Sequence, residues 1–360
     1  MNKTARIAAV ACIAALGLAG CGERPADETA DSATASETPS ESESAEPTAE
    51  PVDFKACMVS DSGGFDDKSF NQTSYKGLQD AEANLGVETS EVESQSDTEY
   101  GDNIQALVDE GCNSVTTVGF LLGDATLEAA EANKDVDFSI VDFAYEKAPK
   151  NLKGLVFNTA EPSFLAGYLA AAKTKTGTVG TFGGLNIPTV TSFMTGFQQG
   201  IEKFNDDTGG EVQLLGWDGK NGSFTEDFED KTKGQSIAEG MIQQGADIIL
   251  PVAGPAGLGA LQAAQDNDIK AIWVDTDGCV SAAEYCDVLL TSVMKGLDVS
   301  VTQAIDDSLN DSFSNELYVG TLDNEGVSLA PYAEGEIDDE LSATLDDLKA
   351  QIIAGEIKTG

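Results

Sequence analysis

The sequence predicts an α/β protein of two lobes, each a parallel sheet flanked by helices, with a ligand cleft between them. Three observations predict it. Beyond residue 53, short apolar runs alternate with helical patterns, the signature of βαβ units. Several of those runs end in a carboxylate or a glycine-rich turn, at the edge where an open α/β sheet takes its ligand. Residues 54–360 are also long enough for two domains of ordinary size.

Strands are expected at 55–60, 89–93, 114–118, 137–142, 155–158, 178–182, 213–217, 247–252, 271–275 and 288–292, with helical patterns filling most of the gaps. No internal repeat is visible. Two sheets met in succession imply two lobes, expected at 54–158 plus 290–324 and at 159–289 plus 325–360.

The stretch from Cys57 to Leu78, CMVSDSGGFDDKSFNQTSYKGL, carries the most chemistry. An apolar run ends in Ser60 and Asp61, two glycines let the backbone approach a ligand, and a polar, aromatic turn opens into a helix. Asp61, Asp66, Asp67 and Asn71 offer hydrogen-bonding groups here, and Phe65 and Phe70 offer flat apolar faces. A capped turn before an amphipathic helix, with Phe70 in the core, would use the same residue types. Other strand ends are similar. The fourth run delivers Asp142, the eighth enters Ala253-Gly254-Pro255-Ala256-Gly257, the ninth delivers Asp275 and Asp277, and the tenth leads to Lys295. A carboxylate at such an end often serves only as a helix cap, but four similar endings in one chain point to a shared cleft.

Ahead of the folded part, residues 1–21 read as a secretory leader: Lys3 and Arg6, an apolar run from Ile7 to Leu18, then Leu18-Ala19-Gly20-Cys21. The run is too short to span a bilayer comfortably. Leu-Ala-Gly-Cys resembles a lipobox, which would make Cys21 the acylated N-terminus of the mature chain. Residues 22–53 are almost all Ser, Thr, Ala, Glu, Asp and Pro, with no aromatic residue. Such a segment cannot bury enough surface to offset its ordering entropy, so a disordered acidic tether is expected.

After Cys21 the cysteines number four: Cys57, Cys112, Cys279 and Cys286. Outside the cytoplasm an even set suggests disulfides. Cys279 and Cys286 close a small loop, and Cys57 and Cys112 stand at strand starts that can be neighbours. Their spacing matches no zinc pattern and the chain has no His, so no metal site is expected.

The net charge is −43; the leader carries +2 and the tether −9, leaving −36 on the folded part. A surface so acidic repels phosphates, which argues against nucleic acids and against a free nucleotide as ligand. A neutral or cationic ligand is not opposed. Solubility alone is sufficient reason for the charge.

The string GGFDDKSFNQ, followed by a helix with Gly77 and Leu78, resembles the opening motif of the basic membrane protein family. These are lipoproteins that serve as the binding component of ABC transporters, and characterised members bind purine nucleosides. The resemblance covers nearly all of 54–350. Ser223-Phe224-Thr225-Glu226-Asp227 before a helix, Val274-Asp275-Thr276-Asp277 and Thr291-Ser292-Val293-Met294-Lys295 are similar to further family segments. It implies a periplasmic-binding-protein type I fold with the ligand between the lobes. Carried over residue by residue, Phe70 and Phe224 would sandwich the base, Asp61 and Asn71 would bond its edge, and Asp142, Gly254, Asp275 and Lys295 would hold the ribose hydroxyls. It further implies permease and ATPase partners, no cofactor, a monomer, and a place on the outer face of the cell membrane through the lipid anchor alone. Pro255 departs from the family's glycine- and hydroxyl-rich turn, and Gly278-Cys279 stands where relatives tend to have Gln.

Other readings use the same residues. Clustered carboxylates suit acid–base work, so a nucleoside-processing enzyme is an alternative. Against it, the chain has no His and no nucleophile motif. Gly183-Gly184 and Gly254-Pro255-Ala256-Gly257 also lack the Lys-Ser or Lys-Thr of a phosphate loop. A sugar, a thiamine-like heterocycle or a signalling molecule in the same two-lobed receptor is the nearer rival, since Phe70 and Phe224 accept other rings. An adhesin, which needs no buried cleft, is a further one.

Overall fold

Two six-stranded sheets organise the chain, and the ends of their strands converge on one cleft. The computed structural model describes residues 49–333, 335 and 337–360. The leader, the acylation expected at Cys21 and most of the expected tether lie outside the described residues, but the tether's expected end at 53 is corrected: Ala49 N–H donates to the Ala83 carbonyl at 3.3 Å and Val52 N–H to the Gly86 carbonyl at 3.0 Å, so 49–53 are docked against the end of the first lobe's opening helix. Residues 45–360 form one unit.

The first sheet contains β1 (Lys55–Ser60), β2 (Glu88–Glu93), β3 (Ser114–Val118), β4 (Asp137–Val141) and β5 (Leu152–Phe157). Late in the chain β11 (Tyr318–Gly320) joins it, giving the order β11-β5-β4-β3-β1-β2, parallel throughout. The second sheet holds β6 (Thr178–Gly183), β7 (Gln213–Leu215), β8 (Ile248–Val252), β9 (Lys270–Asp275), β10 (Leu289–Lys295) and β12 (Val327–Leu329). Its order is β12-β10-β9-β8-β6-β7, and only β12 runs antiparallel to its neighbour.

Helices cover both faces of each sheet, which is why the inner strands read as continuous apolar runs. In the first lobe α1 (Phe70–Leu85), α2 (Tyr100–Asp109) and α3 (Gly123–Ala132) follow β1, β2 and β3. Successive side chains of β1 alternate between two cores: Ala56 and Met58 pack with Leu78, Leu297 and Val301, whereas Cys57 and Val59 pack with Ile104 and Leu107. The second lobe has α4 (Ala160–Lys173), α5 (Pro188–Thr208), α6 (Lys231–Gln243), α7 (Leu258–Asp266) and the short α8 (Gly278–Ser281). Helix α4 is apolar on nearly every side because α5, α10 (Asp339–Ile353) and the sheet surround it. It approaches α5 so closely that a Cβ on Gly200 would stand 1.9 Å from the Phe164 carbonyl oxygen. Helix α9 (Leu297–Leu309) belongs to the first lobe, where Gly77 of α1 lets it close in: a Cβ there would meet the Asp298 carbonyl oxygen at 2.6 Å.

The chain crosses between lobes three times: between Phe157 and Ala160, between Lys295 and Leu297, and between Gly320 and Val327. The expected first-lobe segment 290–324 is therefore corrected at its start. Leu290 to Lys295 belong to the second sheet, because β10 is paired on both sides, with β9 and β12, and continues to Lys295. Strand β5 begins at Leu152 rather than 155, held by pairing of Phe138 with Leu152. The short β11 and β12 complete the sheets beyond the ten strands expected.

Cys57 in β1 is bonded to Cys112, which stands two residues before the neighbouring β3, with Cα atoms 6.0 Å apart. Cys279 of α8 is bonded to Cys286 across 4.5 Å, tying the segment between β9 and β10 into a tight loop.

Candidate functional site

The site is built from strand ends. Asp61 follows β1, Asp142 follows β4, Asp275 ends β9 and Lys295 ends β10; all four are buried. Asp142 and Asp275 leave their strands with φ of 66° and 70°, the left-handed region that Asp tolerates better than most residues. Between them lies Lys295: its Nζ is 2.6 Å from Asp142 Oδ2 and 3.4 Å from Asp275 Oδ1. Burial works against the ammonium, but the two carboxylates outweigh it and hold the Lys295 pKa above its ordinary value. Burial pushes the Asp142 carboxyl up, partly countered by Lys295. The same ammonium lies 4.8 Å from the centre of the Phe70 ring and 5.1 Å from that of Phe193, positions that suit cation–π attraction.

The opening stretch folds around a second buried cluster. Asp67 accepts from the backbone N–H of Ser69, Asn71 and Gln72 at 2.8–3.0 Å, so it satisfies orphan donors at the start of α1. Burial nevertheless raises its pKa to about 6. Asn71 Nδ2 donates to Asp61 Oδ1 at 3.0 Å and to the Ser62 carbonyl at 3.3 Å. Burial raises the Asp61 pKa to about 8, with Asp67, Asp142 and Glu229 adding repulsion and the Asn71 bond opposing it. Ser69 reaches the other lobe, donating to Asp275 Oδ2 at 2.7 Å, and Trp273 Nε1 donates to the Lys68 carbonyl at 3.1 Å.

These groups line one cavity between the lobes, with about 600 Å³ of empty space including its open mouth. Seven of the eight ligand residues expected from the sequence border it: Asp61, Phe70, Asn71, Asp142, Gly254, Asp275 and Lys295. Pro255 borders it too.

Phe224 does not line this cavity, which corrects the expected partner of Phe70. Residues 223–225 pair with Gly183 as a short extension of β6, and this turns the Phe224 ring onto Trp217, 6.4 Å away and edge-on. Phe228, four residues on, lies over Gly184 and lines the cavity from the second lobe; Phe193 of α5 and Phe120 join it. Two further residues of the opening stretch turn away. Phe65 stacks on Tyr75 with ring centres 4.6 Å apart, and Asp66 is exposed and paired with Lys68. Asp277 acts as the cap of α8, accepting from the Cys279 N–H.

A cleft between two α/β lobes, lined from both sides at the carboxyl ends of the strands, is the architecture of the periplasmic-binding-protein type. Solved structures of similar shape include an ABC transporter solute-binding protein from Aeropyrum pernix K1, with TM-score 0.76 and 24% identity over 85% of this chain and 92% of that one. Another is a solute-binding protein from Conexibacter woesei, with TM-score 0.68 and 23% identity over 85% and 98%. Among curated relatives, the nucleoside-binding protein BmpA of an ABC transporter of Lactococcus lactis subsp. cremoris is 31% identical over 326 residues, 85% of this chain and 89% of its own. Basic membrane protein A of Borreliella burgdorferi is 31% identical over 318 residues, 84% and 86%. A CD4+ T-cell-stimulating antigen of Listeria innocua is 30% identical over 329 residues, 85% and 88%. Residues 54–360 match the family described as ABC transporter substrate-binding protein, PnrA-like, and the chain belongs to that family. It is the substrate-binding component of an ABC transporter and works outside the cytoplasm. No helix of the described residues is long and apolar enough to cross a membrane.

Proposed function

We propose that the cavity captures a purine nucleoside, without converting it, and presents it to the permease by closure of the two lobes. The observation that carries this reading is the lining of the cavity, which brings rings and an amide, Phe70 and Asn71 from the first lobe and Phe228 from the second, together with the charged cluster of Asp142, Asp275 and Lys295, whose ammonium lies 4.8 Å from the Phe70 ring centre. A flat heterocycle fits between Phe70 and Phe228, and stacking of a base on an aromatic ring contributes roughly 1 to 3 kcal/mol. Vicinal ribose hydroxyls donate to Asp142 and Asp275 and accept from Lys295, and such charge-assisted bonds are the stronger kind. Gly254, with φ of 51°, keeps backbone close to the sugar end. Contacts from both lobes make closure depend on the ligand. The buried carboxylates disfavour a phosphate, so a nucleoside is preferred to a nucleotide.

In this reading the chain is a monomeric lipoprotein. Cys21 carries the acyl anchor, the tether follows it and ends before Ala49, where the chain is hydrogen-bonded to the first lobe, and membrane contact is through the anchor alone. At roughly 5 to 6 Å times the square root of its length, such a tether holds the receptor a few nanometres from the membrane, within reach of a permease.

Thermal unfolding of ligand-stripped residues 49–360 against nucleosides, bases, nucleotides and sugars tests this. A ligand at about 100 times its Kd adds about 2.7 kcal/mol of stability. Purine nucleosides are expected to raise the midpoint and nucleotides to leave it unchanged. A shift with sugars alone overturns the ligand assignment.

A further inference from the structure

The hydrogen-bonding complement of the Asp61–Asn71 pair, taken with the nucleoside reading above, specifies more than a generic base edge. Both N–H groups of the Asn71 amide are occupied, one by Asp61 Oδ1 and one by the Ser62 carbonyl, which fixes which atom is oxygen and which is nitrogen. Asn71 is 2% exposed, and its Oδ1 has no partner among the described residues although it is completely buried. An orphaned acceptor on a residue that lines the cavity calls for a donor, which a ligand's N–H or a water can supply. Asp61 Oδ2, the carboxyl oxygen that Asn71 leaves over, lies directly above Gly119, where an added Cβ would stand 2.1 Å from it.

We propose that Asp61 and Asn71 select the heterocycle by a proton. With Asp61 ionised the pair presents two acceptors and suits an edge with two adjacent donors, as in a 2-amino-6-oxopurine. With Asp61 protonated on Oδ2 the pair presents one donor and one acceptor and suits the N1 and exocyclic amine of a 6-aminopurine. Only the second form complements adenosine; guanosine finds donors or acceptors to match either form.

The groups that face Asp61 place this exchange within the working range of pH. Asp67 before α1, Asp142 after β4 and Glu229 before α6 all oppose its charge, as does its burial, and Tyr100 of α2 is a neutral phenol. Lys295 is committed to Asp142 and Asp275. The resulting value of about 8 leaves Asp61 protonated at neutral pH and ionised about one unit above its midpoint.

The test is calorimetric titration of the protein with adenosine and with guanosine at about pH 6 and about pH 9, for the parent and for Asp61→Asn, whose amide keeps a donor and an acceptor at every pH. The expected result is an adenosine affinity that falls about tenfold between the two conditions in the parent. Guanosine should change about twofold or less, and the adenosine loss should be absent in Asp61→Asn. Adenosine binding that is equal at both pH values, or that falls equally in Asp61→Asn, overturns the proposal while leaving the nucleoside reading intact. Failure of both nucleosides to bind at either pH overturns the nucleoside reading and this inference with it.

Discussion

Lys295 and Asp142 form an ion pair across the cleft, Nζ to Oδ2 2.6 Å, joining the end of β10 in one lobe to the end of β4 in the other. Both side chains are more than nine-tenths buried. A buried pair adds little net stability, but removing one partner strands the other charge. Lys295→Met should therefore destabilise the free protein by about 3–5 kcal/mol in urea unfolding and abolish detectable nucleoside binding. A variant that unfolds like the parent would show that water reaches the cluster.

The aromatic assignments separate cleanly. Phe70→Ala and Phe228→Ala each remove a ring that lines the cavity, and each should weaken nucleoside binding by about 1 to 3 kcal/mol. Phe224→Ala removes a ring packed on Trp217, so it should lower the unfolding midpoint while leaving affinity within about twofold. Titration of the three variants decides the matter. Equal affinity losses for Phe224→Ala and Phe228→Ala would contradict the assignment.

Asp61 and Asp67 make the free protein sensitive to pH. Their folded values, about 8 and about 6, lie above the ordinary 3.8, so folding favours the protonated forms. Their contribution is complete below about pH 4 and is lost as pH rises, through about 6 for Asp67 and about 8 for Asp61. The midpoint of the ligand-free protein should fall across that window, and Asp61→Asn should flatten its upper part. A midpoint that rises with pH in the same window would contradict the burial of these carboxyls.

The disulfides should differ in worth because their loops differ. They join positions 55 and 7 residues apart. On the chain-entropy relation, the longer closure contributes about 4 kcal/mol and the shorter about 2.5 kcal/mol. Replacing Cys57 and Cys112 by Ser should cost more in denaturant unfolding than replacing Cys279 and Cys286. The reverse order would place most of the effect outside loop entropy.

Much of this architecture was legible because parallel strands covered on both faces read as apolar runs, and because a βα strand end advertises its polar terminus. Asp142, Asp275 and Lys295 stand at such strand ends. Strands β11 and β12 have three residues each, too short to show a period. Residues 290–295 join the second sheet and not the first, and sequence alone does not say which sheet a crossover strand joins. Phe224 and Phe228 lie in an irregular segment where spacing assigns no face, and only the pairing of residues 223–225 with Gly183 decides which ring enters the cavity. Phe193 lies in α5, an amphipathic helix in which no sequence signal distinguishes a cavity-lining residue from a core one.

The most direct measurement is calorimetric titration of the ligand-stripped protein with adenosine, adenine and ribose separately. Recognition of the two halves by one cavity requires the intact nucleoside to bind at least about a hundredfold more tightly than either part, since the parts forfeit the contacts of one half. Ribose or another free sugar binding as tightly as the nucleoside would contradict it, and Phe70 and Phe228 would then be walls of a sugar site.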